Sequence, residues 1–238
     1  MSYAVITGAS KGIGKSMAQN LARRGVNLLL VARSEDPLRE LSEECRLKYG
    51  IEAHFLVADL SLPNSAKKVF DWAHSLGVPI SILINNAGFG LGGSFDHTDL
   101  SELGELMQVN MVTPVELTRL FIELLKNSQP SYILNIASNA AYQSVPYLNV
   151  YAASKSFMLS FSRGLKHELR FTNISVTCVC PGPTDTDFIN RARLGEKPRK
   201  FARTFNMSPD VVAKIGVDAM FARKAEVIPG FLNYVTRF

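Results

Sequence analysis

Three cysteines in 238 residues, Cys45, Cys178 and Cys180, are too few for a disulfide framework, and the odd count suits a reducing compartment. Cys178 and Cys180 alternate within ISVTCVCPG, which reads as a buried strand. No further ligands stand nearby, so no metal site is expected. No apolar run reaches the ~18 residues of a membrane span. The start, MSYAVITGAS, enters an apolar strand with no basic-then-apolar leader, so a cytoplasmic protein is expected. The 26 basic and 21 acidic residues leave a formal charge of only +5, spread along the chain. No basic block is interleaved with aromatics, which argues against nucleic-acid binding. The four histidines (54, 74, 97 and 167) are scattered and unpaired with any plausible nucleophile, so a hydrolase built on a serine lacks its base. The single tryptophan, Trp72, falls on an amphipathic stretch and reads as core. Repeats, low-complexity tracts and linkers are also missing.

What is present is a regular alternation. Hydrophobic residues make up 47% and charged residues 20%, which is enough for a sizeable core, and the length fits one large α/β domain. Apolar runs of strand length fall at 3–7, 26–32, 52–58, 80–85, 131–137 and 174–180, with a short AEVIPG near the end. Between them lie helix-period segments at about 12–24, 37–49, 63–76, 99–127 (two helices), 150–171 and 208–222. Near-continuous apolar strands separated by helices imply a parallel sheet covered on both faces. The expected fold is α/β: one domain over 1–238 with a doubly wound parallel sheet of about seven strands.

YAASK, at 151–155, sets a phenol and an ammonium four positions apart with only small residues between. On a helix that spacing puts both on one face. A free tyrosine, with a pKa of ~10, is a poor proton shuttle at neutral pH. A cation ~4 Å away, at an effective dielectric of ~20, attracts the phenolate by ~4 kcal/mol before desolvation is subtracted. That is enough to lower the pKa by a unit or more. Alone, these five residues also describe an ordinary surface helix.

The first strand runs into TGASKGIG (7–14), where Gly8, Gly12 and Gly14 sit at a strand-to-helix turn with Ser10, Lys11 and Ile13. Missing Cβ atoms let the backbone approach a phosphate, and the helix N-terminus offers N–H groups and a positive dipole end. About twenty residues further on, a carboxylate would bind the ribose hydroxyls of NAD. Here VARSED carries Arg33, 19 residues after Gly14, and no acid at the strand tip, although Glu35 and Asp36 follow closely. Arg33 and Lys11 together favour a 2′-phosphate, so NADP(H) is expected over NAD(H). ADL (58–60) and NNAG (85–88) end the next two strands, at the edge where open α/β sheets bind ligands. Asp59, beside Leu60, is placed to accept from an adenine amino group. Asn85, Asn86 and the small pair Ala87–Gly88 allow close packing on a cofactor, though NNAG alone is also an ordinary turn.

Taken together, TGASKGIG, NNAG, Asn110 in QVN, Ser138 in NIAS, YAASK and PGPTDT resemble the motif series of the short-chain dehydrogenase/reductase family. Order and spacing match, including the 13 residues from Ser138 to Tyr151, and the likeness covers almost the whole chain. The resemblance implies a Rossmann-type fold and hydride transfer with a nicotinamide cofactor. It makes Tyr151 the general acid/base and Ser138 the holder of the substrate oxygen. Lys155 then lowers the Tyr151 pKa and holds the nicotinamide ribose. Asn110 distorts its helix and holds a water that relays protons. Pro181, Gly182 and Thr186 contact the carboxamide, with Thr184 standing where relatives often carry an aliphatic residue.

By the same resemblance, residues of about 184–207 form a substrate lid. Its Arg191, Arg193, Lys197, Arg199, Lys200 and Arg203 suit either a solvated helix or a clamp for a phosphate-bearing acyl carrier. Phe89, Leu91, Phe95, Ala140, Tyr142, Val145, Tyr147 and Phe188 form the expected pocket wall. It is apolar and partly aromatic, as a hydrophobic ketone or secondary alcohol requires. The expected activity is an NADP(H)-dependent carbonyl reductase or alcohol dehydrogenase, with a 3-oxoacyl thioester (CoA or acyl carrier protein) reductase second. A non-catalytic NADP(H) sensor comes third, since it needs no Ser138–Tyr151–Lys155 set. Family members pair through the helices at 99–127 and 150–171, implying a homodimer or homotetramer. Related chains commonly continue past VIPG with another apolar helix, whereas this one stops at Phe238, so a short or incomplete C-terminus is expected.

Overall fold

The apolar runs become strands because both of their faces are covered. The computed structural model describes residues 2–184, 206–230 and 233. Its strands are β1 (Tyr3–Thr7), β2 (Asn27–Ala32), β3 (Ala53–Val57), β4 (Ile80–Asn85), β5 (Ser131–Ile136), β6 (Ile174–Val179) and β7 (Glu226–Val227). They pair in parallel, in the order β3-β2-β1-β4-β5-β6-β7. The five inner strands are buried throughout, while edge strand β3 mixes buried and exposed residues. Helices α1 (Gly12–Ala22), α2 (Glu35–Tyr49) and α7 (Pro209–Phe221) cover one face. There Met17, Leu21, Leu38 and Val217 pack on Ile6, Leu28 and Leu30. Helices α3 (Ser65–Ser75), α4 (Leu100–Met107), α5 (Thr113–Lys126) and α6 (Asn149–Glu168) cover the other. There Val69, Leu106, Phe121 and Leu165 pack on Val5, Leu29 and Val31. Alternate strand residues thus serve opposite layers. Among the described residues no helix is long and apolar enough to cross a membrane.

Local chemistry sets the helix ends. The Asp99 carboxylate accepts from the Ser101 and Glu102 amides at the start of α4, and the Ser208 hydroxyl accepts from Val211 at the start of α7. Helix α2 opens with Glu35 and Asp36, carries Arg46 and Lys48 in its last turn, and stops at Gly50, whose φ of 65° is left-handed. Two buried asparagines tie the sheet to its cover. Asn85 and Asn135 are register partners, and Asn85 Nδ2 donates to Asn135 Oδ1 (2.9 Å) and to Thr118 Oγ1 of α5 (3.1 Å). Asn135 Nδ2 donates in turn to Ser162 Oγ of α6 (2.9 Å). These bonds offset the cost of burying the two amides, although Asn85 Oδ1 has no partner among the described residues.

The chain builds outward from β1 to β3, then crosses to β4 and builds the other way. The loops after β1 and β4 therefore diverge, and a crevice opens at the carboxyl edge of the sheet.

Candidate active site

That crevice is a cavity of about 510 Å³. Its floor is the glycine turn. Asn86 Nδ2 donates to the Thr7 and Gly8 carbonyls (2.9 and 3.1 Å), and Thr7 Oγ1 accepts from the Asn86 and Ala87 amides (3.0 and 3.1 Å). The β1 and β4 tips are stitched so closely that a Cβ on Gly8 would stand 2.8 Å from the Asn86 amide. On Gly14 it would fall inside the Gly8 carbonyl. Gly8, Ser10, Lys11, Gly12 and Ile13 line the cavity, as do Asn86, Ala87 and Gly88. Gly14 lies beneath them and serves loop packing, so its expected contact with a cofactor is not what the structure assigns it. Asn85 likewise points into the core ladder rather than the cavity.

Arg33, Asp59 and Leu60 line one end, with Ser34 and Ser61. The tip of β2 has no acid of its own, but β3 brings one: Asp59 Oδ2 stands 3.7 Å from Arg33 Nη1. Glu35 and Asp36 pair with Arg39 instead. Partial burial alone would raise the Asp59 pKa. The Ser61 amide and hydroxyl, with the Arg33 guanidinium, outweigh it and hold the carboxyl below its usual range. Asp59 therefore orients Arg33, and leaves that guanidinium half-exposed to the cavity.

The other end gathers Ser138, Tyr151 and Lys155. Ser138 follows β5 and opens a short 3-10 turn, Asn139–Tyr142, where its hydroxyl accepts from the Ala140 amide (3.2 Å). Tyr151 and Lys155 project from α6 and are only 8% and 4% exposed. Lys155 Nζ donates to the Ile136 carbonyl (3.0 Å) and stands 5.7 Å from the Tyr151 ring centroid. Burial pushes Tyr151 up to about 12, opposed by its hydrogen bond with Ser138. Burial also pushes Lys155 down to about 8, with Cys178 and Cys180 acting the other way. The expected lowering of the phenol by Lys155 is not seen: burial disfavours the phenolate, and the group that opposes burial is Ser138.

Burying the Lys155 ammonium carries a cost. The fall from 10.5 to about 8 amounts to about 3 kcal/mol of destabilisation while the folded protein must hold the cation. The cost is complete below pH 8. Between pH 8 and 10.5 the unfolded chain binds the extra proton, so stability rises with pH. Allowing for the lost bond to Ile136, Lys155→Met is expected to stabilise by about 2 kcal/mol at pH 7, and by progressively less up to pH 10.5. Urea melts across that range check it; a gain independent of pH would contradict it.

Asn110 sits in a π turn, Gln108–Val112, between α4 and α5. Pro114 has no N–H to offer the Asn110 carbonyl, and the widened turn absorbs the missing bond. The buried Asn110 amide brackets Phe89, donating to its carbonyl (2.9 Å) and accepting from its N–H (3.1 Å). It also donates to Ser154 Oγ (3.0 Å), which donates to the Tyr151 carbonyl (2.7 Å). Asn110 therefore lies behind the wall, joining Phe89 to the turn that carries Tyr151.

Phe89, Ala140 and Val145 line the cavity, together with Gln143 and Leu148 of the expected wall stretch 140–148 and with Asn139, which sequence reasoning passed over. The signal for Asn139 was its place next to Ser138 in the same loop. The other expected wall residues that the structure describes face elsewhere. Leu91 packs on the helical layer, and Phe95 and Tyr147 are 60% and 71% exposed. Tyr147 is turned out by a φ of 63°, and its carbonyl accepts from Gly93 (3.0 Å). Tyr142 faces away because its hydroxyl donates to Glu226, which also pairs with Arg163 (2.7 Å). Pro181, Gly182 and Thr184 line the cavity, while Thr186, Phe188 and the basic residues of 185–205 lie outside the described residues.

A family model described as short chain dehydrogenase matches residues 2–197. The chain belongs to this family. Among short-chain dehydrogenases it is similar to the very-long-chain 3-oxoacyl-CoA reductase of Kluyveromyces lactis, 35% identical over 184 residues, covering 74% of this chain and 53% of that protein. It is also similar to 17-beta-hydroxysteroid dehydrogenase type 3 of Mus musculus, 31% identical over 236 residues, covering 98% of this chain and 76% of the relative. A solved short-chain dehydrogenase from Sphingobium yanoikuyae, in complex with NADPH, superimposes with a TM-score of 0.89 at 30% identity, covering 97% of this chain and 89% of that one. The chain spans little more than half the length of the very-long-chain reductases it matches.

Proposed function

We propose that the chain is an NADP(H)-dependent oxidoreductase interconverting hydrophobic ketones and secondary alcohols, with Tyr151 exchanging the proton. One observation carries this reading: two hydroxyls and a buried ammonium meet at one end of a cavity whose other end is a glycine turn and a half-exposed arginine. The residues fit such a cofactor. The turn is too tight for any Cβ at 8 or 14, which suits a pyrophosphate at the α1 N-terminus. Arg33 and Lys11 would take the 2′-phosphate, Tyr151 and Lys155 the nicotinamide ribose, and Pro181–Thr184 would back the ring. When bound, the cofactor supplies or accepts the hydride at the substrate carbon. In reduction, Tyr151 Oη gives its proton to the carbonyl oxygen, and Ser138 donates a hydrogen bond to the same oxygen. The phenolate left behind is compensated by the Lys155 ammonium, and oxidation reverses each transfer. Burial keeps the resting phenol protonated at neutral pH, which arms it for reduction.

The 35% identity to a very-long-chain 3-oxoacyl-CoA reductase supports a second reading, reduction of 3-oxoacyl thioesters in the same cavity. NADPH consumption over a panel of apolar ketones, aldehydes and 3-oxoacyl thioesters separates the two, and tight NADPH binding with no turnover would overturn both. Exposed Met107, Val112 and Phe157, on α4, the π turn and α6, support self-association through those helices.

Arg33→Ser tests the cofactor assignment. A charge-assisted bond to phosphate contributes about 2 kcal/mol, so KM for NADPH should rise about 30-fold while KM for NADH stays put. Equal effects on both cofactors would remove Arg33 from 2′-phosphate recognition.

A further inference from the structure

The turn Pro181–Thr184 forms one side of the cavity, yet it is held from behind by residues far along the chain. A Cβ built on Gly182 would fall inside the side-chain amide of Asn233. That amide is buried, donates from Nδ2 to the Pro229 carbonyl (2.7 Å), and lies 3.5 Å from the Met207 sulfur. Met207 pairs with the same turn, its N–H donating to the Pro183 carbonyl (2.9 Å) beside a β-bridge to Thr184. Gly230, at a φ of 88°, completes the enclosure: a Cβ there would stand 2.9 Å from the Met207 sulfur and 3.0 Å from the Asn233 amide nitrogen. Three separate stretches therefore close on one planar side chain, and its flat face is what Gly182 leans against.

We infer that Asn233 is a positioning residue that sets the height of the Pro181–Thr184 turn, and through it the cofactor-binding wall of the cavity. This rests on the NADP(H) reading above. Asn233 does not reach the cavity; it acts only through the glycine. A smaller residue leaves space behind the turn, and a methyl on Gly182 competes for the space the amide fills. The two positions are therefore coupled: what one adds the other must give up.

The test is a double-mutant cycle read on KM for NADPH, on kcat with one ketone, and on NADPH binding followed by its own fluorescence. Asn233→Ala is expected to raise KM for NADPH about tenfold with kcat within about twofold. Gly182→Ala alone is expected to raise it further, about 30-fold, whereas adding Gly182→Ala to Asn233→Gly should cost nothing beyond Asn233→Gly alone. If Gly182→Ala does not fold, Asn233→Asp serves: it keeps the shape, loses the donor to Pro229, and should also raise KM for NADPH. A strictly additive cycle, or Asn233 variants with unchanged KM for NADPH, overturns the inference while wild-type NADPH binding leaves the cofactor reading standing. A wild-type protein that does not bind NADPH overturns the cofactor reading itself, and this inference with it.

Discussion

Tyr151→Phe is expected to lower kcat for ketone reduction by about 10³-fold while KM for NADPH stays within about threefold. The substitution removes one oxygen from a ring that is otherwise enclosed, so the wall keeps its shape. What is lost is the proton donor, and positioned general acids contribute roughly 10²–10⁴-fold. A neutral phenol in the resting site, titrating near 12, means that the reductive direction should stay flat with pH up to about 8 and fall above it, as Lys155 loses the charge that compensates the phenolate. Single-turnover measurements with NADPH already bound check both statements. Retention of more than a tenth of the wild-type rate would show that some other group protonates the substrate oxygen.

Gly14→Ala should produce the second large effect, and through a different cause. Its methyl would overlap the Gly8 carbonyl and the Asn86 amide, which are pinned by four hydrogen bonds between the β1 and β4 tips. Neither can retreat without breaking that stitch. Overpacking of this kind costs about 3 kcal/mol, which in a chain of this size lowers Tm by about 6–12 °C. NADPH affinity should fall at least tenfold in the same variant, since the displaced loop is the one that faces the cavity. A variant with wild-type Tm and wild-type NADPH affinity would show that the turn is looser than its geometry states.

The strands were legible because inner strands buried on both faces must be apolar at every position, so β1, β2, β4, β5 and β6 read as uninterrupted runs. The helix limits expected near 49, 99 and 208 coincide with Gly50, Asp99 and Ser208, whose conformation or side chains end the pattern. Most cavity residues were legible for a related reason: strand tips of a parallel sheet share one edge, so residues just after each apolar run are brought together. What could not be read was the direction of side chains within loops. Tyr142 turns away from the cavity to Glu226, 84 positions away, and Tyr147 follows an unusual φ that nothing in SVPYL announces. The VARSED segment shows no acid for Arg33 at its strand tip because the partner, Asp59, comes from the loop after the neighbouring strand. Gly14 was legible as necessary, but absence of a Cβ serves a backbone packing against backbone as well as one packing against phosphate.

β1, an inner strand flanked by β2 and β4, leaves the ribosome before either of its neighbours. β2 reaches it after a short connection, but β4, which must cover its opposite edge, begins at Ile80, 73 residues beyond Thr7. At synthesis rates of 5–20 residues per second that gap lasts about 4–15 s. Throughout it, an apolar strand with one open row of amides and carbonyls is available to any nascent chain nearby. The same crossing that opens the crevice for chemistry thus creates a brief period of vulnerability to aggregation, which chaperone engagement would shorten.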